Sequence, residues 1–147
     1  MKRICAVLLM LMLGSLPAWA TLGEEVSSVD SDVQVFHGKH IMVAKVGYSL
    51  HQISTPDGSV VNEYVSPAGI VFGVSWQSHF IPDLHQLLGT YLTNLQQGQR
   101  TNVVRRRAVT VRGDNFVFSS VGHLRSFHGS AYVPGLIPAN LTPEVVQ

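Results

Sequence analysis

Histidine has the widest chemical scope of any residue type in this chain. Seven occur, His37, His40, His51, His79, His85, His123 and His128, and imidazole is both a common general base and the commonest metal ligand. Their spacing argues against a metal centre. His37 and His40 stand i, i+3 and fit one helix face, but there is no His-Glu-x-x-His, no His-x-His, and no thiol beyond Cys5 to complete a tetrahedral set. A nucleophilic serine needs a base, an orienting acid and usually a sharp turn such as Gly-x-Ser-x-Gly, which is absent. Ser66, His123 and Asp83 make a triad only on paper. The nine acids are scattered, with Glu24, Glu25, Asp30 and Asp32 near the start and only Glu63 and Asp83 beside expected core elements, so no carboxylate pair is recognisable. No catalytic residue, metal ligand or cofactor is assigned, and the chain leans away from an enzyme.

Two groups of residues suit binding better. Arg105, Arg106 and Arg107, with Arg100 and Arg112 nearby, are the densest charge; guanidinium groups bind phosphate or carboxylate bidentately, and the plainer reading is a solvated loop guarding the next strand's edge. Trp76, with Phe80 and Ile81 after it, can floor a groove, while Gly122-His123-Leu124-Arg125 places a cation near an imidazole. Trp76, His79, His123 and Arg125 are therefore the candidate ligand site, against the plainer reading that aromatics at strand ends plug the core.

The first 20 residues read as a cleavable signal peptide: Met1, Lys2 and Arg3, then an apolar run from Ile4 to Leu16, then Ala18-Trp19-Ala20. The run covers roughly 20 Å as a helix, short of the roughly 30 Å of a bilayer core. Cleavage removes Cys5, so the remainder, residues 21–147, carries no thiol, no disulfide and no transmembrane anchor. It also removes Lys2 and Arg3, leaving a net charge of about −1. Nothing in that balance suits nucleic acid, whose binding depends on neutralising many phosphates. One domain is expected, located in the periplasm or secreted.

The elements that must position these residues follow from periodicity. Between residues 21 and 40, Val26, Val29, Val33 and Phe36 fit one stripe of a short helix, or a partly ordered arm. Tyr48 to Ile53, Val60 to Val65 and Ile70 to Trp76 are divided by Pro56-Asp57-Gly58 and Pro67-Ala68-Gly69, which predicts a three-stranded antiparallel meander. Alternation in the third strand puts Ile70, Phe72, Val74 and Trp76 on one face. After Pro82-Asp83, the residues Leu84, Leu87, Leu88, Tyr91, Leu92 and Leu95 span an arc of about 140°, an amphipathic helix capped by Asp83 and stopped at Gln96-Gln97-Gly98. Strand signals return at Val109 to Arg112, Phe116 to Ser120 and Leu124 to Tyr132. The tail from Pro134 to Gln147 reads as an irregular segment laid over the surface. The expected class is α+β: an antiparallel sheet of two meanders and about six strands, one long amphipathic helix on one face, and a short N-terminal helix.

Tyr48-Ser49-Leu50-His51-Gln52-Ile53, the run from Asp57-Gly58 through Tyr64-Val65-Ser66-Pro67-Ala68-Gly69 to Trp76, Pro82-Asp83-Leu84-His85-Gln86-Leu87-Leu88, and Gly122-His123 to Val133-Pro134 together resemble the family called domain of unknown function 2844. The resemblance implies a small exported protein of Gram-negative bacteria and carries no activity with it. The leading expectation is a non-enzymatic module that binds a protein, peptide or envelope polymer. A small histidine-dependent hydrolase or metal-binding enzyme, and a secreted structural or matrix-associated protein, are the alternatives.

Overall fold

A computed structural model describes residues 22–101 and 108–147. The expected signal peptide and the Arg105-Arg106-Arg107 run lie outside the described residues. Helix α1 (Ser27–Val35) is followed by strands β1 (Lys39–Lys45), β2 (Tyr48–Ser54), β3 (Val60–Val65) and β4 (Val71–Ser78). Helix α2 (Leu84–Leu88), a 3-10 turn (Gly89–Tyr91) and helix α3 (Leu92–Thr101) then lead to β5 (Ala108–Arg112), β6 (Val117–His123) and β7 (Ser126–Tyr132). The strands make one antiparallel sheet in the order β1-β2-β3-β4-β7-β6-β5, so β4 and β7 join two meanders.

Turn chemistry divides β2 from β3 and β3 from β4 as expected. Gly58 and Gly69 adopt φ of 84° and 79°, a region that costs glycine nothing. Asp57 accepts the Ser59 amide at 3.2 Å and its hydroxyl at 2.9 Å. The Thr55 hydroxyl, then that of Ser59, hold the Asp57 carboxyl below the usual range.

One face of the sheet carries Ile53, Val61, Val74, Trp76, Val111, Phe118 and Ala131, packed under Leu22, Val29, Leu87, Leu88 and Leu95. The other carries Tyr64 and Phe72 with Tyr48, Leu50 and Tyr132, covered by Leu136, Ile137, Leu141 and Val146 of the tail. The irregular tail is thus the second covering layer. Among the described residues, no helix is long and apolar enough to cross a membrane.

Five expectations change in detail. The sheet has seven strands because β1, not marked by alternation, precedes the meander. Phe72 is not on the face of Val74 and Trp76: the register slips between Tyr64 and Val65, pairing Val65 with Val71 and Tyr64 with Gly73, and this bulge turns Phe72 to the tail side. The amphipathic helix is capped by Asp83, which accepts from the amides of His85 and Gln86 at 2.9 and 3.3 Å, but it breaks at Gly89 (φ 45°). Nor does it stop at Gly98. The helix runs to Thr101, and Gly98 serves close approach, since a Cβ there would lie 2.2 Å from Val111 Cγ1. His37 and His40 share no helix face either: His37 follows α1 in a left-handed conformation (φ 50°) and His40 is in β1.

Candidate functional site

Strand β4, leaving the sheet after Ser78, and the β6–β7 hairpin bring three of the four candidate ligand residues to one end of the molecule. His79 Nδ1 donates to the Arg125 carbonyl at 3.1 Å. Arg125 occupies the tight turn after Leu124 with φ 58°, next to the closing pair His123–Ser126. Trp76 is a core side chain: its ring lies 5.7 Å from that of Phe118, and Gly129 makes room for it, because a Cβ at 129 would come within 2.2 Å of Trp76 Cζ2. His79, His123 and Arg125 are exposed, whereas Trp76 is buried. Ser66 lies in the β3–β4 turn at the sheet's other end from His123, where its hydroxyl accepts the Ile70 amide at 3.3 Å.

The same end carries exposed apolar surface. Leu124 is 96% exposed, Phe80 67% and Ile81 66%. Phe80 and Ile81 border a groove of about 510 Å³ walled by Val35 and Phe36 from the end of α1 and by Pro56 and Val61 from the β2–β3 hairpin. A segment lacking regular structure, residues 79–83, presents the two side chains, so their exposure is set by the chain's path between β4 and α2. On the tail side a second, polar depression of about 480 Å³ holds Gln52, Asn62, Ser75, Ser130 and Ser119, which fall in one row across five adjacent strands.

Sequence reasoning missed two polar constellations, the first of them buried. Asp32 of α1 and Glu63 of β3 are each 1% exposed. Gln86 of α2 donates to Asp32 Oδ1 at 2.6 Å. Neither Glu63 oxygen receives an N–H or hydroxyl; its carboxyl faces that of Asp32. Two facing carboxyls satisfy one another only with a proton between them. Burial, reinforced by Asp32, pushes Glu63 well above the usual glutamate range, which favours a proton held between the two carboxyls. Burial also raises Asp32, offset by the bonds from Glu63 and Gln86. A signal existed: Glu63 alternates with Val61 and Val65, and Asp32 falls on the stripe of Val29, Val33 and Phe36. Enclosed in this way, the pair is placed to tie α1 and α2 to the sheet rather than to reach a substrate.

The second constellation is a chain across β1 and β2. His40 Nε2 lies 3.0 Å from His51 Nδ1 with the rings stacked at 5.1 Å, and Ser49 Oγ lies 3.2 Å from His51 Nε2. Burial, then His40, lowers the pKa of His51, which keeps it neutral and able to accept a proton. Among the described residues, no three metal-ligating side chains converge.

These features define an α+β protein whose antiparallel sheet is covered by helices on one side and by a C-terminal segment on the other, with open grooves at one end and on the tail side. The chain belongs to the family described as protein of unknown function (DUF2844), whose model matches residues 18–146. Neither a curated protein nor a solved structure gives a significant match.

Proposed function

We propose that this protein is exported to the periplasm or beyond, in a Gram-negative bacterium, and works there without catalysis, binding a protein, peptide or envelope polymer. The observation that carries the reading is the groove beside Phe80 and Ile81. Large apolar side chains held two-thirds exposed around a concave surface are costly to leave in water, and such patches mark interaction sites. Export is supported by the signal-like pattern of residues 1–20 and by the fold's early start. Leu22, two residues past the expected cleavage point, is already buried, with its amide bonded to the Leu87 carbonyl at 3.2 Å.

The test is a photo-cross-linking side chain at position 80 in the intact cell, read with and without the additional change Ile81→Asp. A defined cross-linked species that falls at least tenfold with Ile81→Asp, from a protein whose N-terminus is Thr21, is the expected result. Equal yield from both forms, or retention of residues 1–20 in the cytoplasm, refutes the reading.

A second reading, a small histidine-dependent hydrolase, is favoured by the Ser49–His51–His40 chain, because a hydroxyl held by a neutral imidazole is the start of an activated nucleophile. Covalent labelling by a fluorophosphonate, lost in Ser49→Ala, distinguishes it from the first.

A further inference from the structure

The two edges of the sheet are treated differently by the fold. At one edge β5 lies against α3, with Gly98 set on Val111. At the other, all seven residues of β1 are exposed, and Ile41 and Met42 remain 57% and 58% open to solvent. Among the described residues no covering layer buries it, although β1 pairs with β2 over its whole length without a bulge. Such an edge is a template for an added strand.

From this we propose that β1 receives an extended segment of a partner protein, running antiparallel, with the pattern acid-x-apolar-x-apolar-x-acid; the proposal rests on the interaction reading above but uses a different surface. The pattern follows from register. Lys45 and Tyr48 flank the two-residue connection Val46-Gly47, so they are the hydrogen-bonded closing pair. Alternation along the ladder then directs the amides and carbonyls of His40, Met42 and Ala44 outward, to the free edge. Against a new strand those three become the hydrogen-bonded positions. Lys39, Ile41, Val43 and Lys45 share one face at the non-hydrogen-bonded positions, where opposing side chains come closest. Two apolar residues flanked by two cations therefore ask for two apolar residues flanked by two carboxylates.

A second copy of this chain fits poorly. Antiparallel pairing of β1 with itself, centred on Met42, sets Lys39 opposite Lys45 twice, and like charges directly opposite are destabilising. The same lysines that deter self-pairing select an acidic-flanked partner.

The probe is the capped heptapeptide Glu-Thr-Val-Thr-Val-Thr-Glu, titrated against the protein lacking residues 1–20, beside the same peptide with lysine ends and a version N-methylated on the amides that would face β1. The acidic peptide is expected to bind at least tenfold tighter than both. Lys39→Glu with Lys45→Glu should reverse the preference for the ends, and Met42→Pro, which removes an outward amide without touching the β1–β2 ladder, should weaken the acidic peptide at least tenfold. Equal binding of the three peptides, or unchanged binding by the charge-reversed protein, overturns the proposal. So does a dimer in sedimentation that Met42→Pro converts to monomer, since the edge is then occupied by another copy. Because the N-methylated peptide leaves the protein unaltered, its result stands even where a variant folds badly. The peptide results leave the cross-linking at position 80 untouched, so failure of the edge and failure of the groove are separate outcomes.

Discussion

Replacing Glu63 by glutamine changes the protein's response to pH in a direction set by the buried pair. In the wild-type fold the Glu63 carboxyl keeps its proton while facing Asp32, whereas in the unfolded chain it ionises in the ordinary range, about pH 4.3. The folded state thus binds one proton more over the window from that value up to the raised folded value. Stability is greatest below the window and declines as pH rises through it, by up to about 1.4 kcal/mol per pH unit for one proton. A glutamine side chain at this position has no proton to lose, and its amide can donate to Asp32 in place of the carboxyl. The groups facing the pair are Gln86, Asp83, which raises Asp32 electrostatically, and His51, opposite Glu63 on β2; all are common to both proteins and cancel in the difference. Glu63→Gln should therefore gain on the wild type as pH rises above the ordinary glutamate range, by up to about 1.4 kcal/mol for each pH unit inside the window, measured as the difference in urea unfolding free energy at each pH. A difference that stays constant as pH rises from the ordinary glutamate range means that Glu63 ionises normally in the fold, and the shared-proton argument fails.

Three further changes test the packing. Gly98→Ala gains about 1 kcal/mol of helix propensity but drives its Cβ into Val111, and the overpacking, about 1–3 kcal/mol, should win; thermal unfolding should show a loss that Val111→Ala partly restores in the double variant. Asp83→Ala removes the acceptor for the His85 and Gln86 amides in the first turn of α2 and should lower stability by about 1 kcal/mol in chemical denaturation. Tyr64→Phe removes a buried hydroxyl that donates to the Gln147 carbonyl at 2.6 Å and accepts its amide at 3.1 Å; a loss of about 1–2 kcal/mol, with protease cleavage of the tail at lower urea, is expected.

What the sequence revealed was what is local. Pro-Asp-Gly and Pro-Ala-Gly set two hairpins because φ at Pro and Gly is decided by those residues alone, and the leucine stripe from Leu84 to Leu95 marks a helix because its spacing is a property of one segment. The seven residues of β1 escaped because a strand solvated on both faces leaves no alternation to read. Phe72 was put on the wrong face because a bulge depends on how β3 and β4 meet, not on β4. Gly98 looked like a stop until Val111 was placed against it. At the candidate site, His79, His123 and Arg125 lie at one end because each stands at or just past the end of a strand, while the facing of Asp32 and Glu63 needs the docking of α1 on β3, which no spacing within either segment records.

The joint between β4 and β7 has a consequence for how the chain reaches this state. Each hairpin closes over a handful of residues, but β7 begins at Ser126, 48 positions after β4 ends at Ser78, with α2, α3, β5 and β6 between. Closing that loop costs entropy before any contact across it returns free energy. The late, rate-setting event should be the zipping of the two meanders along Gly73–Tyr132 to Ser78–Phe127. Substitutions at that seam should then slow refolding, while substitutions in β1, at the far rim, should act almost wholly on the rate of unfolding.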